Sequence, residues 1–286
     1  MTRLPALLAA ALCAVLLGTW AAPASAQNAD TYKPTVGQEG KDVIWVPTPP
    51  ALVERMLRMA QVTARDFVVD LGSGDGRIPI AAAKTFGARA MGIEYNPDMV
   101  RLSVRLARET GVADKVQMVE GDIFEKDFAS ATVVTTYLLT ELNLRLRPKL
   151  LDMKPGTRVV AHLFGMGDWQ PDETSVVEGR PAFLWIVPAH ASGRWKLTLP
   201  AIRGGKPREA TLDIEQQFQK IGGTVNFGRM TTTLRDPLIS GESIRFKLTD
   251  EDSKVREFTG RVASNAMSGT VGGQRWKAER TEQPKP

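Results

Sequence analysis

The chain has 286 residues, 43% of them hydrophobic and 24% charged, with 37 Lys and Arg against 32 Asp and Glu for a formal charge of +5. This composition excludes a mainly disordered chain, a collagen-like fibre and a multi-span membrane protein, and the scattered charges do not favour a nucleic-acid partner. The single cysteine, Cys13, excludes an intrachain disulfide framework and a cysteine-based zinc site, and with only two histidines no metal site is expected.

The amino terminus reads as an export signal. Arg3 supplies a positive start, residues 4–17 are almost wholly apolar, and Ala24-Ser25-Ala26 forms a small-residue cleavage site. Residues 1–26 are therefore expected to be a signal peptide, with the mature chain starting at Gln27, exported to a periplasm or secreted, and carrying no membrane span. An uncleaved anchor is the alternative; its apolar run is short against the roughly 20 residues of a span. Residues 27–42 are polar, with Pro34, Gly37 and Gly40, and read as a flexible leader.

From 43 to 190 strands and helices alternate. A short apolar run at 43–46 precedes Pro47-Thr48-Pro49-Pro50, and Leu52, Val53, Met56, Leu57 and Ala60 follow at helical spacing. Residues 67–71 form a compact buried strand. Residues 78–86 suit a helix, with Pro79 tolerated in its first turn. Strands are expected at 90–93, 116–119, 131–139 and 158–164, and helices at 99–107 and 144–153, the last ended by Lys154-Pro155-Gly156. This order predicts a parallel sheet with helices on both faces. After about 190 the period changes to two, as in Trp195, Leu197 and Leu199 or Ile244, Phe246 and Leu248, with glycines between the runs. A smaller antiparallel all-β domain over 191–282 is expected, with Trp195 and Trp276 near its two ends in a pattern compatible with barrel closure, followed by a tail at 283–286.

The chemistry-bearing stretch is Asp70-Leu71-Gly72-Ser73-Gly74-Asp75-Gly76-Arg77, where a strand runs into a glycine-rich turn and then a helix. Glycines let backbone pass close to a ligand without a Cβ clash. A dinucleotide fold would want glycine at 77, where arginine stands, and the lysine of a P-loop is missing. The pattern suits a nucleoside without a pyrophosphate. Glu94, ending the second strand, can accept from ribose hydroxyls. Asp122, ending the third, can accept from an adenine amino group while Ile123 packs on the ring. All three acids fall at carboxyl ends of parallel strands, where open α/β sheets bind ligands.

This constellation resembles the Rossmann-like class I S-adenosylmethionine-dependent methyltransferases. Around it, Trp45-Val46-Pro47-Thr48-Pro49, Tyr137-Leu138-Leu139 with Asn143, His162-Leu163-Phe164 and Gly167-Asp168-Trp169 resemble the ATP synthase c-subunit lysine methyltransferases and their bacterial relatives. The resemblance implies S-adenosyl-L-methionine as cofactor, held by Thr48, Asp70, Gly72, Gly74, Gly76, Glu94, Asp122 and Ile123. It implies a Pro-Thr segment folded over that cofactor, Tyr137 beside the methyl donor, and a protein lysine as acceptor. Thr135-Thr136-Tyr137-Leu138 stands where many amino-methylating relatives carry Asn/Asp-Pro-Pro-Tyr, which leaves the acceptor open.

Tyr137 and Asn143 are the candidates to orient an acceptor amine, which must lose its proton before attacking a methyl carbon. Asn143 reads equally well as the cap of the helix near Leu144. Trp45 and Trp169 either wall the pocket or bury area under loops. Glu54 is read as solvent-facing or paired with an arginine, and His162 as a core histidine. Methylation of a small molecule is the alternative enzyme reading. An exported, non-catalytic protein binding a nucleoside or peptide is the alternative of another class.

Overall fold

A computed structural model describes residues 32–201, 206–250 and 253–282. The expected signal peptide, the first residues of the leader and the tail at 283–286 lie outside them. The first part is a seven-stranded sheet built from β1 (Phe67–Leu71), β2 (Arg89–Glu94), β3 (Val116–Glu120), β4 (Val133–Thr136), β5 (Arg158–His162), β6 (Glu173–Val177) and β7 (Arg180–Ile186), in the order β3-β2-β1-β4-β5-β7-β6. Its helices are α1 (Pro50–Met59), α2 (Arg77–Phe86), α3 (Pro97–Glu109) and α4 (Thr140–Leu151). Alternate strand residues point to opposite faces. Val68, Val133 and Val160 pack with Leu52, Met56 and Leu57 of α1 on one side. Val69, Val134 and Val159 pack with Leu146 and Leu150 of α4 on the other.

Two expectations are corrected. The sheet is mixed rather than wholly parallel: β1 to β5 run parallel, but β7 pairs antiparallel with β5, and β6 with β7. The β6–β7 hairpin turns on Glu178 and Gly179, at φ 51° and 75°, and two positive φ values are what a two-residue type I′ turn requires. Helix α4 begins at Thr140, four residues before its expected start, with Leu139 as N-cap and no side-chain cap bond. Asn143 therefore lies inside the helix and caps nothing.

The second part is a nine-stranded antiparallel sheet formed by β8 (Gly193–Leu199), β9 (Arg208–Gln217), β10 (Lys220–Asn226), β11 (Thr231–Thr233), β12 (Arg235–Ser240), β13 (Ser243–Thr249), β14 (Val255–Ala263), β15 (Ala266–Val271) and β16 (Gln274–Glu282). Its order is β11-β10-β9-β8-β16-β15-β14-β13-β12. The first and last strands pair with each other, which curls the sheet into a nearly closed barrel around Trp195, Phe246, Phe258 and Trp276. Phe258 lies parallel to Phe246, with ring centroids 5.0 Å apart, and meets Trp276 edge-on. The barrel docks through Phe218, stacked on Trp169 at 6.0 Å, and through the Gln219 side chain, which donates to the Gln170 carbonyl at 2.5 Å. Among the described residues no helix is long and apolar enough to cross a membrane.

Candidate active site

At the carboxyl ends of β1, β2, β3 and β4 lies a cavity with an empty volume of about 950 Å³ including its mouth. All of its lining residues fall between Gln38 and Leu142, so the barrel contributes none. Its floor is the turn after β1. Gly72, Gly74 and Gly76 sit at φ 76°, 56° and 77°, conformations that a side chain disfavours. Of these three, Gly72 alone lines the cavity. A Cβ at Gly74 would stand 2.5 Å from the Trp45 indole nitrogen, and one at Gly76 would stand 2.8 Å from the Ser103 Cβ on α3. The second glycine thus seats Trp45 and the third seats a helix.

Glu94 holds the turn from the side. Its Oε2 accepts from the Gly74 N–H at 2.8 Å and its Oε1 from the Asn96 N–H at 2.9 Å, and each oxygen has a lone pair left. Asp70 lies 2% exposed at the base, with Oδ1 accepting from the Thr135 hydroxyl at 2.7 Å. Burial pushes its carboxyl up to about 6, against the partial offset of that hydrogen bond. Ser73 also lines the wall, and its buried hydroxyl lies close enough to Asp70 to lower that carboxyl in part. At the far end Asp122 Oδ1 accepts from the Phe124 N–H at 2.8 Å, and Oδ2 pairs with the Lys41 ammonium. That hydrogen bond holds the Asp122 carboxyl below the usual range. Ile123 lies beside it in the wall.

The opposite wall is a strap, residues 38–48, whose first part belongs to the stretch expected to be a flexible leader. Trp45 bonds back to the start of the strap, its carbonyl accepting from the Gly37 N–H and its N–H donating to the Gln38 carbonyl, both at 2.9 Å. Three side chains pin it. Lys41 reaches Asp122. Arg77 donates to the Thr48 carbonyl at 2.9 Å while clamped on Asp75. Thr48 Oγ1 lies 3.1 Å from His162 Nδ1. Lys41 and Arg77 were missed as site residues from sequence. The arginine that breaks the dinucleotide pattern was the available signal.

Tyr137 follows β4 and lines the cavity with its ring 3.8 Å from that of His162. Burial pushes the phenol up, and burial pushes the His162 imidazole down to about 4. Both are therefore neutral near pH 7. Asn143 is buried outside the cavity wall. Its Nδ2 donates to the Leu138, Phe164 and Gly165 carbonyls at 3.4, 3.1 and 3.3 Å. It ties the loop after β4 to the loop after β5 and touches no acceptor site. Trp45 walls the cavity. Trp169 does not: it is fully buried against Trp185 and Phe218. Glu54 pairs with Arg58 on the surface. No group of three or more metal-ligating side chains occurs among the described residues.

A family model described as the ANTKMT methyltransferase domain matches residues 70–173. The chain is 44% identical over 154 residues to a protein-lysine N-methyltransferase of Saccharolobus islandicus, covering 52% of this chain and 96% of that protein. It is 37% identical over 132 residues to the ATP synthase c-subunit lysine N-methyltransferase of Mus musculus, spanning 53% of that protein's length and 46% of its own. Among solved structures, an RNA methyltransferase from Salinibacter ruber in complex with S-adenosyl-L-homocysteine is 51% identical, with a TM-score of 0.50, over 51% of this chain and 95% of that one.

Proposed function

The chain belongs to the class I S-adenosylmethionine-dependent methyltransferases, in the family that includes the protein-lysine N-methyltransferases, and from that premise we propose that it methylates the side-chain amine of a protein lysine. The cavity fits the cofactor by its own features: a glycine at the turn whose positive φ bars a side chain, and acids at three strand ends. Glu94 would hold the ribose hydroxyls, Asp122 and Ile123 the base, and Asp70 and Thr48 the amino-acid end. The bound cofactor supplies an electrophilic methyl carbon on a sulfonium.

The observation that carries the acceptor assignment is the neutrality of the Tyr137 end. Tyr137 and His162 offer polar and aromatic surface with no charge to hold an ammonium, and the Arg180 guanidinium acts on both. A lysine entering there is favoured in its deprotonated, nucleophilic form, and its proton goes to water at the mouth. Tyr137 orients the amine, and no strong base is needed. The test supplies the chain with tritiated methyl donor and a cell extract, then digests with protease or ribonuclease. Protease-sensitive label recovered as methyl-lysine is expected. Ribonuclease-sensitive label would contradict the assignment and favour the acceptor class named for the Salinibacter relative.

Residues 1–26 support a further proposal, that the chain is exported and acts outside the cytoplasm. Sequencing the mature protein from fractionated cells should read Gln27 first; a Met1 start in the cytosol would overturn it.

A further inference from the structure

Two exposed leucines stand where local structure favours other residues. Leu139 is the N-cap of α4 and leaves the helix without a side-chain cap, a position where Ser, Thr, Asp or Asn would satisfy a first-turn N–H. Leu163 sits at φ 67°, and the Phe164 N–H donates to the His162 carbonyl at 2.8 Å across it. That is a γ-turn with positive φ, a strained form, in a conformation that Gly or Asn tolerates better than Leu. Both side chains are 41% exposed. Local stability is thus forgone at both places for an apolar side chain that the core does not use.

The two positions share one place. Asn143 bonds the carbonyls of Leu138 and Phe164 together, and the Phe164 ring stacks on Tyr137 in the cavity wall with centroids 6.1 Å apart. Leu139 and Leu163 do not line the cavity, but each is next in the chain to a residue at its Tyr137 end: Leu139 follows Leu138 in the wall, and Leu163 follows His162, whose ring lies on Tyr137. From the strap, Val46 lines the same cavity with 37% of its surface exposed. One cation completes the rim. His162 pairs with Ala182, and the Leu163 N–H donates to the Pro181 carbonyl, so Arg180 is the next residue along. Its guanidinium donates to the Glu178 carbonyl at 3.5 Å and pairs with no carboxylate among the described residues, and its charge is felt by Tyr137 and His162.

We propose that this rim receives the acceptor as an apolar segment whose lysine is accompanied by one acidic residue. The aliphatic flanks lie on Val46, Leu139 and Leu163, the acid meets Arg180, and the lysine enters beside Tyr137. A lysine- or arginine-rich tail is the poorer fit, because Arg180 repels it. The proposal rests on the protein-lysine reading above and narrows it to a substrate class.

The test uses the chain, tritiated methyl donor and four fluorescent peptides with one central lysine: leucine- and valine-flanked with a Glu two residues away, the same with Gln, serine- and glycine-flanked, and arginine-flanked. Transfer and anisotropy are both read. The apolar Glu peptide should exceed the serine–glycine peptide about tenfold in kcat/KM, the worth of one buried aliphatic side chain. Replacing its Glu by Gln should cost several-fold in the parent and nothing in Arg180→Gln. Leu139→Ser and Leu163→Asn should raise KM with little change in kcat, while their melting temperatures, no lower than the parent's, show an intact fold. Equal use of the serine–glycine peptide, preference for the arginine peptide, or no labelling of any peptide overturns the rim proposal. If the extract's proteins are labelled in those cases, the lysine reading stands. Label in RNA alone overturns both.

Discussion

Replacing Asp70 by Asn should stabilise the protein at neutral pH and weaken its hold on a cationic ligand. The carboxyl is 2% exposed and pushed by burial up to about 6, from an ordinary 3.8. Between those two values the folded state keeps a proton that the unfolded chain has released. Stability therefore falls as pH rises through that window and is lowest above it. At 1.36 kcal/mol per pKa unit the ionised group costs about 3 kcal/mol at pH 7.5. Asn keeps the shape and can still accept the Thr135 hydroxyl bond at Oδ1, so most of that cost should vanish. Urea unfolding of both proteins from pH 3.5 to 8 gives a difference curve dominated by Asp70, with a smaller part from its repulsion of Asp75 and Glu94. It should be near zero at pH 4 and rise to at most about 3 kcal/mol in favour of the variant above pH 6.5. A flat difference, or a less stable variant at pH 7.5, would refute the argument. The same variant should bind S-adenosylmethionine more weakly above pH 6, because a negative charge facing a sulfonium and an ammonium has gone.

Gly74→Ala should cost about 1–2 kcal/mol for its left-handed backbone alone, and more because Trp45 must move from its seat 2.5 Å from the new Cβ, with a red shift of tryptophan emission; unchanged emission and unchanged stability would contradict that seat. Arg77→Gln removes the cation that holds the Thr48 carbonyl, and losing a charge-assisted bond of about 1.5–3 kcal/mol should show as faster hydrogen exchange in residues 38–48 and weaker cofactor binding. Unchanged exchange would mean that the strap is held without it. Leu139→Ser should add about 0.5–1 kcal/mol to stability by capping α4; a lower melting temperature would show that Leu139 supports the core after all.

The parts legible in the sequence are those with a local cause. The turn at Gly72 to Gly76 was readable because close backbone packing demands glycine, although two of the three glycines accommodate protein rather than cavity. Glu94 and Asp122 were readable because strand ends of a parallel sheet gather at one edge, and the alternation after Trp195 gave the barrel. What was missed is non-local or contradicts propensity. The strap looks like a polar leader, and its Lys41 anchor lies 81 residues from Asp122. The β6–β7 hairpin was passed over because Pro181 interrupts its second strand and Glu173 to Val177 is too polar to stand out; the Glu178-Gly179 turn was the usable sign. The start of α4 was misplaced because its cap is a leucine. Trp169 was ambiguous because what covers it, Phe218, comes from the turn between β9 and β10, 49 residues on.

The central claim is a working methyl-donor site at the ends of β1 to β4, and calorimetric titration tests it most directly. S-adenosylmethionine and S-adenosylhomocysteine should each bind the chain with one site, and Glu94→Ala should weaken both at least tenfold, as expected when a carboxylate that accepts from charged or hydroxyl donors is lost. Equal affinity in the variant, or no binding by a chain that melts cooperatively, would contradict the account.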